Sequence, residues 1–402
     1  MTASPPSHTL RPTQDEICVA ILFGQDPATA PLDLAGGVAN DPRPIIERQI
    51  QEAMLRGPLW VAFSGGRDSS ALLAIAASVA RREGLAPPVP VTMVFPEVTD
   101  TDEEGWQRLV LEHLGLVDDW VRLQPGEELD MIGPYAERML LPHGILLPPN
   151  SHAILPMVDA MGAGGTLLSG SGGDELMEGR PQRVSSAVLS RRKVRRVERA
   201  GAIVDDLPRP LQARLIRRHS SWGGPRWLRG HSLIDGFHWL TPAARARLIE
   251  EEIAERAASP VRFDALLERA FRDRHFQMGR YAYDLIGADT GTQVLTPFVH
   301  RDVVAAFARS WGYRFPGARV RSLRGIVGDL LPEPILARAS KAEFVNVFAT
   351  ERLHTWVREW DGTGIDESRA SVAALHREWG QPEPHYCSLP LLQQAWLAGR
   401  GG

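Results

Sequence analysis

The fold of this chain is decided by the stretch Leu59-Trp60-Val61-Ala62-Phe63-Ser64-Gly65-Gly66-Arg67-Asp68-Ser69-Ser70. Its first five residues form a short apolar run, which is typical of a buried parallel strand. Two glycines follow and permit a tight turn of the backbone. Residues 69–82 then have helical periodicity and include neither proline nor glycine. A strand, a glycine-rich turn and a helix in this order predict one unit of an α/β fold.

The same alternation continues along the chain. Further strands are predicted at residues 91–95, 119–123 and 166–169, and further helices at residues 102–114 and around residues 152–161. Strands and helices that alternate at this spacing predict a doubly wound parallel sheet with right-handed crossovers. In such sheets ligands bind beyond the carboxyl ends of the strands, so the loops that follow the strands are the candidate binding sites.

Strand patterns fade beyond Arg180, and the second half of the chain is predicted to be helical. Helices are expected at residues 185–220, 241–275, 299–311, 322–339 and 348–360, with breaks at residues 222–225, 241–242 and 315–317. This half is expected to pack against the sheet and to form one wall of the cleft. We therefore divide the chain into a short N-terminal arm or cap (1–50), an α/β core (51–180) and a helical half (181–402).

Composition excludes several classes of protein. The net charge of −4 gives no field that would recruit nucleic acid or an anionic membrane. Cys18 and Cys387 form no CxxC pair, which argues against a disulfide framework and a dithiol site, and the histidines have no metal-site spacing. No apolar run approaches the length that spans a bilayer. We expect a cytoplasmic protein with neither nucleic acid nor membrane among its partners.

The loop of residues 64–70, which we call the first loop, has the features of a phosphate site. Backbone N–H groups around Gly65 and Gly66 converge with the positive end of the following helix dipole. The hydroxyl groups of the loop add donors, and they belong to Ser64, Ser69 and Ser70. Asp68 would repel a phosphate unless a cation lay between them, so it indicates Mg²⁺. The pattern is not GxxxxGK[ST], which disfavours a P-loop NTPase. An ordinary glycine-rich turn is the alternative.

A second loop repeats this layout after the predicted strand at residues 166–169. It reads Ser169-Gly170-Ser171-Gly172-Gly173-Asp174-Glu175. Two glycine-rich loops at neighbouring strand ends, each with one aspartate, predict a pair of ligands for the metal ion of a nucleoside triphosphate. Asp68 and Asp174 are the candidate ligands. Chance rarely places two such loops together, so the pair is more specific than either loop alone.

Lysine usage singles out one further residue. The chain has 45 lysines and arginines together, but only Lys193 and Lys341 are lysines. Where composition favours arginine so strongly, a retained lysine indicates a role that arginine cannot fill, or else an ordinary surface position.

Four motifs together resemble a known family. The first loop resembles the SGGxDSS loop of the N-type ATP pyrophosphatases, and the second resembles the SGxGGDE loop of their asparagine synthetase branch. The segment Thr296-Pro297-Phe298 with Val303-Val304, and Leu331-Pro332 followed by Arg338-Ala339-Ser340-Lys341-Ala342-Glu343-Phe344, are similar to two further segments of that branch. The motifs arrive in the family's order, and the resemblance covers roughly residues 55–400. The chain thus looks like a synthetase of the asparagine synthetase and β-lactam synthetase type.

This resemblance implies an activity, two cofactors and a set of site residues. It implies an adenine nucleotide α-hydrolase-like fold and an ATP- and Mg²⁺-dependent ligase that adenylates a carboxylate, releases pyrophosphate and transfers the acyl group to an amine. Asp68 and Asp174 would ligate Mg²⁺, and Lys341 would neutralise charge at the α-phosphate. Ser171 stands where β-lactam synthetases carry a catalytic tyrosine. Nucleotide contacts would come from Ser64, Gly65, Gly66, Asp68, Ser69, Ser70, Ser169, Gly170, Gly172 and Gly173.

The chain also departs from the family pattern. Position 2 is Thr2, and too few residues precede Ser64 for a glutamine-hydrolysing domain, so we expect an amine from another source. His300 replaces an aspartate and Leu295 an arginine, so substrate binding there should differ. Residues 225–228, 239–244 and 389–396 resemble the lasso-peptide macrolactam synthetases. We therefore favour peptide macrolactam formation, with a precursor peptide and its processing protease as possible partners.

Other interpretations stay open at this point. The chain could be a small-molecule amide or lactam synthetase, a tRNA-modifying or other pyrophosphatase-loop enzyme, or a catalytically silent nucleotide-binding protein. The missing CxxC pair and the acidic balance weigh against tRNA modification. The basic run at residues 191–199 is a solvated helix face or a docking surface. Tyr281, Tyr283 and Asp284 belong either to an acyl pocket or to the core.

Overall fold

The computed structural model describes residues 10–35, 40–98, 101, 103–177, 185, 204, 206–222, 232–338 and 345–400. Its centre is a five-stranded parallel sheet in the order β3-β2-β1-β4-β5. The strands are β1 (Leu59–Ala62), β2 (Val89–Met93), β3 (Val121–Leu123), β4 (Thr166–Leu168) and β5 (Gln293–Leu295). The predicted doubly wound parallel sheet is therefore confirmed.

The strand order places a topological switch beside β1. The chain moves from β1 outward through β2 and β3, and then returns to the other side of β1 with β4. In the register of β1 with β4, Leu59 lies opposite Thr166 and Val61 opposite Leu168. Because the two strands are parallel and adjacent, the loops that follow them leave the same edge of the sheet side by side. Ligands bind at such switch points in open α/β sheets.

The fifth strand corrects the expectation that strands end by Arg180. Residues Gln293–Leu295 pair with β4 over three positions, from Gln293 opposite Thr166 to Leu295 opposite Leu168. So short a segment has too few residues to show a strand period, and its pairing depends on β4, more than one hundred residues earlier in the chain.

The helices surround the sheet and fill the second half of the chain. The described α-helices are α1 (Gln14–Ile17), α2 (Arg43–Arg56), α3 (Arg67–Glu83), α4 (Glu104–Leu114), α5 (Pro134–His143), α6 (Leu155–Met161), α7 (Gly173–Met177), α8 (Arg209–Trp222), α9 (Pro242–Ala258), α10 (Phe263–Arg272), α11 (Arg274–Thr290), α12 (Arg301–Trp311), α13 (Arg319–Val327), α14 (Glu333–Leu336), α15 (Glu351–Glu359), α16 (Val372–Trp379) and α17 (Leu389–Arg400). No helix among these residues is long and apolar enough to cross a membrane.

Several predicted helices differ from the observed ones. The helix expected at residues 241–275 is two helices, α9 and α10, and α11 then runs on to Thr290. The helix expected at residues 322–339 is interrupted between α13 and α14, because Gly328 ends the first helix and Pro332 precedes the second. The helices α5, α16 and α17 were not predicted from the sequence. Of the helix predicted at residues 185–220, the structure describes the end as part of α8, and most of residues 185–208 lie outside the described residues.

Both faces of the sheet are covered by apolar side chains. One core joins β1 to the almost wholly buried helix α3 and to α2, α10, α12 and α13. On the opposite face, Val91 and Leu167 pack with residues of α6 and α11, among them Val158 and Ile286. Helices on both faces are what a parallel sheet requires.

The C-terminal helices have a separate core, centred on buried Trp239 and Trp379. The N-terminal segment joins it, since Cys18 is part of this core and its carbonyl oxygen accepts a hydrogen bond from Trp239 Nε1 at 2.8 Å. The three predicted domain divisions stay predictions.

Candidate active site

The two glycine-rich loops are in direct contact at the carboxyl ends of β1 and β4. A Cβ atom added to Gly173 would lie 2.5 Å from Asp68 Cγ, and one added to Gly170 would lie 3.2 Å from the Ser69 backbone nitrogen. Glycine permits this approach, because a Cβ atom at Gly173 would overlap the Asp68 carboxyl group and one at Gly170 would press closely on the first loop. The structure therefore brings together the two loops that the sequence analysis paired.

The first loop is a tight turn that ends at the N-terminus of α3. Gly65 has a φ of +77°, which favours glycine, and Gly66 is the residue before the helix. Ser64 Oγ accepts a hydrogen bond from the Gly66 N–H at 3.3 Å and lies 3.2 Å from Ser69 Oγ. Ser69 Oγ donates to the Gly66 carbonyl oxygen at 3.1 Å. The hydroxyl groups and N–H groups are thus gathered at one end of a long helix, which is a favourable place for an anion.

The second loop carries a hydroxyl cluster. Ser171 Oγ lies 3.0 Å from Ser169 Oγ and 2.7 Å from the Tyr283 hydroxyl group. Tyr283 is on α11, more than one hundred residues later in the chain, and burial raises the pKa of its phenol. Where β-lactam synthetases carry a tyrosine in the loop itself, this chain places a serine in the loop and a tyrosine against it.

An arginine lies between the two candidate metal ligands. The Arg319 guanidinium forms ion pairs with both Asp68 and Asp174. The Arg319 side chain is only 10% exposed and that of Asp68 is also largely shielded, whereas Asp174 is half exposed at the mouth of the cluster. Asp68 Oδ1 is buried and has no hydrogen-bond partner in the described part of the chain. The two predicted ligands therefore converge, and Arg319 bridges them.

A second arginine holds the first loop from the other side. Buried Arg338 donates a hydrogen bond to the Gly65 carbonyl oxygen at 2.7 Å and forms an ion pair with Glu103. Its guanidinium also lies 5.0 Å from the centre of the Trp106 ring. Sequence reasoning assigned no role to Arg338 or to Arg319. The spacing of arginines offered little signal, because arginine is frequent throughout this chain.

Two adjoining cavities meet at these loops. The smaller has a volume of about 280 Å³ and is lined by both loops and both arginines. The larger has a volume of about 500 Å³ and extends from the second loop toward α10 and α11. Four residues line both cavities: Asp68, Gly170, Ser171 and Asp174. The candidate site thus has two compartments with one shared wall.

The predicted site residues are distributed between these compartments. Those lining the smaller cavity are Ser64, Gly66, Asp68, Ser69, Ser169, Gly170, Ser171 and Asp174, while Gly172 and Gly173 line only the larger one. Gly65 and Ser70 do not line either cavity, and the Ser70 hydroxyl is buried without a hydrogen-bond partner among the described residues. Their predicted contacts with phosphate stay predictions. Lys341 lies outside the described residues.

The larger cavity has a mixed lining of apolar, polar and ionisable groups. Burial raises the pKa of Asp273 to about 7, and burial also lowers the pKa of His275 and of Arg280. Tyr283 lines this cavity, but Tyr281 and Asp284 do not. Tyr283 thus lines a cavity and also packs against the core, while its assignment to an acyl pocket stays a prediction.

The donor set fits a magnesium ion that is bound together with phosphate. Among the described residues no three His, Cys, Asp or Glu side chains converge, so the protein would supply the two carboxylates of Asp68 and Asp174. Mg²⁺ commonly takes one or two carboxylates and completes its octahedron with water and phosphate oxygens. Asp68 Oδ1 is buried and has no hydrogen-bond partner among the described residues, which fits an oxygen atom that would ligate a cation.

Other predicted features have structural roles or lie outside the described residues. His300 Nδ1 accepts a hydrogen bond from the Asp302 N–H at 3.3 Å, so this histidine caps α12. Trp239 is fully buried in the C-terminal core. Residues 389–396 form part of the buried helix α17. The basic run at residues 191–199 and the segment at residues 225–228 are outside the described residues.

A family model described as asparagine synthase matches residues 45–383 of the chain. This range includes both glycine-rich loops, all five strands and both cavity arginines. A search of curated proteins found no match.

Proposed function

The chain belongs to the asparagine synthase family, and from this premise we propose that its two adjoining cavities bind ATP and a carboxylate substrate on either side of a shared wall. Family membership makes the chain an ATP-dependent carbon–nitrogen ligase that forms AMP. We propose which substrates it takes and which of its residues act on them. The single observation that carries it is the wall of Asp68, Ser171 and Asp174, which both compartments share.

We assign the phosphates of ATP to the smaller cavity. Ser64, Ser69 and the N–H groups at the start of α3 offer donors to the β- and γ-phosphates. Arg338 contacts the same loop and contributes positive charge behind it. Arg319, which pairs with the two loop carboxylates, is close enough to exchange these partners for phosphate oxygens, which a guanidinium binds in the same forked geometry.

Asp68 and Asp174 would hold the Mg²⁺ that accompanies ATP. Bound there, the ion would offset negative charge on the phosphates. The residues of the chain provide the rest: they position the nucleotide, exclude water from one side of it and keep the pyrophosphate in place as it leaves.

The reaction divides into two steps. In the first, an oxygen of the substrate carboxylate forms a bond to the α-phosphorus of ATP, and the bond from that phosphorus to the bridging oxygen breaks, so pyrophosphate leaves with the electron pair. In the second, an amine nitrogen bonds to the acyl carbon and AMP leaves. The developing negative charge on the phosphates is offset by Arg319 and, we propose, by Lys341, which follows the cavity residue Arg338 by three positions.

Ser171 and Tyr283 stand where the two substrates would meet. Their hydroxyl groups are hydrogen-bonded at 2.7 Å, and both residues line the larger cavity. A pair of hydroxyl groups can donate to a carbonyl oxygen of the acyl group and orient it toward the α-phosphate. Because burial raises the pKa of Tyr283, the phenol keeps its proton at neutral pH and acts as a donor.

We further propose that the carboxylate belongs to a peptide and that the product is a macrolactam. The volume of about 500 Å³ is in the range that holds a ligand much larger than one free amino acid. Its lining combines apolar residues such as Ile154 and Phe276 with ionisable ones, which suits several side chains of different character. A small-molecule amide synthetase would use the same two-step chemistry, and the choice of substrate distinguishes the two.

The adenylation step is tested by exchange of labelled pyrophosphate into ATP in the presence of single carboxylates. The probes are aspartate, glutamate, N-acetylglutamate and a peptide with one internal glutamate. Asp174→Asn should lower exchange by at least one hundredfold, because it removes one of the two shared carboxylates. Asp264→Asn, in which an aspartate outside both cavities undergoes the same chemical change, is the control. ADP and phosphate as the only products would overturn the proposal.

The substrate class is tested by mass spectrometry of the products. A peptide with a free N-terminus and an internal glutamate should lose one molecule of water in the presence of ATP and Mg²⁺. Exchange with free amino acids but with none of the peptides would instead favour a small-molecule amide synthetase.

A further inference from the structure

Asp273 is a carboxylate of the larger cavity to which the two-step reaction assigns no role. Asp273 lies between α10 and α11 and lines the cavity wall together with His275 and Arg280. Its Oδ1 atom is buried and has no hydrogen-bond partner among the described residues. A buried acceptor without a donor is costly, so its retention at a cavity wall requires an explanation.

Helix capping does not explain Asp273. It occupies the N-cap position of α11, where aspartate usually accepts a hydrogen bond from the first turn, but its side chain makes no such bond. Its backbone is held in an isolated antiparallel bridge with Gln25, whose side chain also hydrogen-bonds the carboxyl group, and Oδ1 is the oxygen left without a partner among the described residues. The side chain is therefore available to the cavity rather than committed to the helix.

Neighbouring charges do not neutralise Asp273 either. Arg269 on α10 would stabilise the carboxylate, but the Arg269 guanidinium is paired with Glu255 of α9 at 2.5 Å. Glu255 opposes the carboxylate by its own negative charge. Arg280 lines the same cavity, donates a hydrogen bond to Gln277 at 3.2 Å and lies 5.6 Å from the centre of the Phe271 ring. The positive charge of Arg269 therefore offsets only part of the cost of burying an ionised Asp273.

A substrate ammonium group would supply further positive charge. We propose that Asp273 binds the amine substrate in the larger cavity and removes its proton before the amine attacks the acyl group. This inference rests on the proposed function, and it assigns the base of the second step. In the proton transfer an N–H bond of the ammonium breaks and an O–H bond forms on Asp273. The neutral amine then bonds to the acyl carbon while AMP leaves with the electron pair, and the last proton passes to solvent.

The basicity of Asp273 matches one class of amine. Burial raises the pKa of this carboxyl to about 7, whereas the α-ammonium of a peptide has a pKa of about 8 and a lysine side chain one of about 10.4. Proton transfer from a peptide α-ammonium is then unfavourable by only about tenfold, and from a lysine ammonium by more than about a thousandfold. An α-amine is therefore the acceptor that this cavity favours.

The experiment separates the two half-reactions. Pyrophosphate exchange with N-acetylated carboxylate donors needs no amine and reports the adenylation step alone. Amide formation is then measured with glycinamide, with Nα-acetyllysine amide and with hydroxylamine, which is already neutral at pH 7. Asp273→Asn should keep exchange within about twofold of wild type. It should lower amide formation with glycinamide by at least about one hundredfold, in the range typical of a lost general base, and lower the hydroxylamine product by less than about threefold.

The other outcomes have distinct meanings. No exchange with any donor in the wild type would overturn the proposed function, and this inference with it. An equal loss with glycinamide and hydroxylamine would show a structural role for Asp273 and overturn the inference alone, as would full retention of glycinamide transfer. A selective loss in His275→Asn but not in Asp273→Asn would assign the base to His275. Asp264→Asn is the control for the chemical change.

Discussion

Replacing Asp273 by asparagine should make the protein more stable at pH 8 and change it much less at pH 5. The substitution keeps the size of the side chain and suits an N-cap position, so it introduces little strain. What it removes is a carboxylate that burial has made unfavourable, since Oδ1 has no donor among the described residues. The expected gain in stability follows from the pKa of this carboxyl.

Burial raises the pKa of Asp273 from the ordinary 3.8 to about 7, so the folded state binds its proton more tightly than the unfolded state. Stability is then lost as the pH rises from about 4 to about 7, and the full cost at pH 8 is about 4 kcal/mol. Because the side chain lines an open cleft, solvent screening reduces this figure to about 2 kcal/mol. At pH 5 the folded carboxyl keeps its proton, and the cost is below about 1 kcal/mol.

Thermal unfolding at the two pH values measures this difference. A gain of about 2 kcal/mol in a chain of this length corresponds to a rise of about 2 °C in melting temperature at pH 8. Asp264→Asn is an informative control, because Arg262 lowers the pKa of Asp264 and its removal should therefore destabilise the protein at pH 8. An equal change in melting temperature for Asp273→Asn at both pH values, or a lower melting temperature at pH 8, would show that the ionised Asp273 carboxylate does not destabilise the folded protein.

Four further substitutions test the geometry of the site. Arg319→Met should raise the KM for ATP in pyrophosphate exchange by about 10- to 100-fold, the effect of losing a charge-assisted hydrogen bond; an unchanged KM would count against its contact with phosphate. Tyr283→Phe should lower the kcat of exchange about tenfold with little effect on the KM for ATP, because only the hydroxyl group at Ser171 is lost; a normal kcat would argue against its role in orientation. Gly172→Ala should lower the free energy of unfolding by about 1–3 kcal/mol. The φ of +85° at this position is strained for alanine, and the new Cβ atom would overlap the Val299 side chain. Denaturant unfolding measures the change. Arg338→Lys should weaken ATP binding, because a lysine cannot contact Gly65, the Glu103 carboxylate and the Trp106 ring at the same time. Calorimetry measures the affinity, and unaltered binding would contradict this expectation.

Local sequence patterns were enough to predict the α/β core. The apolar run of β1, the two glycines after it and the periodicity of α3 are features of neighbouring residues, and their physical causes act within one turn or one strand. Alternation of such units implies a parallel sheet, and a parallel sheet places the ends of adjacent strands together. For that reason the sequence alone predicts that Asp68 and Asp174 lie together, and the structure places them around one guanidinium.

The rest of the site depends on contacts between distant parts of the chain. Strand β5 exists because three residues pair with β4. Tyr283 reaches Ser171 only because α11 packs beside the second loop, and Arg319 reaches Asp68 from 251 residues away. No periodicity or local motif predicts contacts between residues so far apart in the sequence. Arginine is also too frequent in this chain for its presence at one position to indicate a role.

Local patterns in the sequence were thus enough to predict the fold class and to pair the two glycine-rich loops with their aspartates, because glycine geometry and hydrophobic periodicity are local properties. Only the tertiary structure decided how the site is divided into compartments, which arginine bridges the carboxylates and that Asp273 faces a cavity instead of capping its helix. Burial and the loss of hydrogen-bond partners are properties of the packed molecule, and they change the chemistry of a side chain whose type alone indicates nothing unusual.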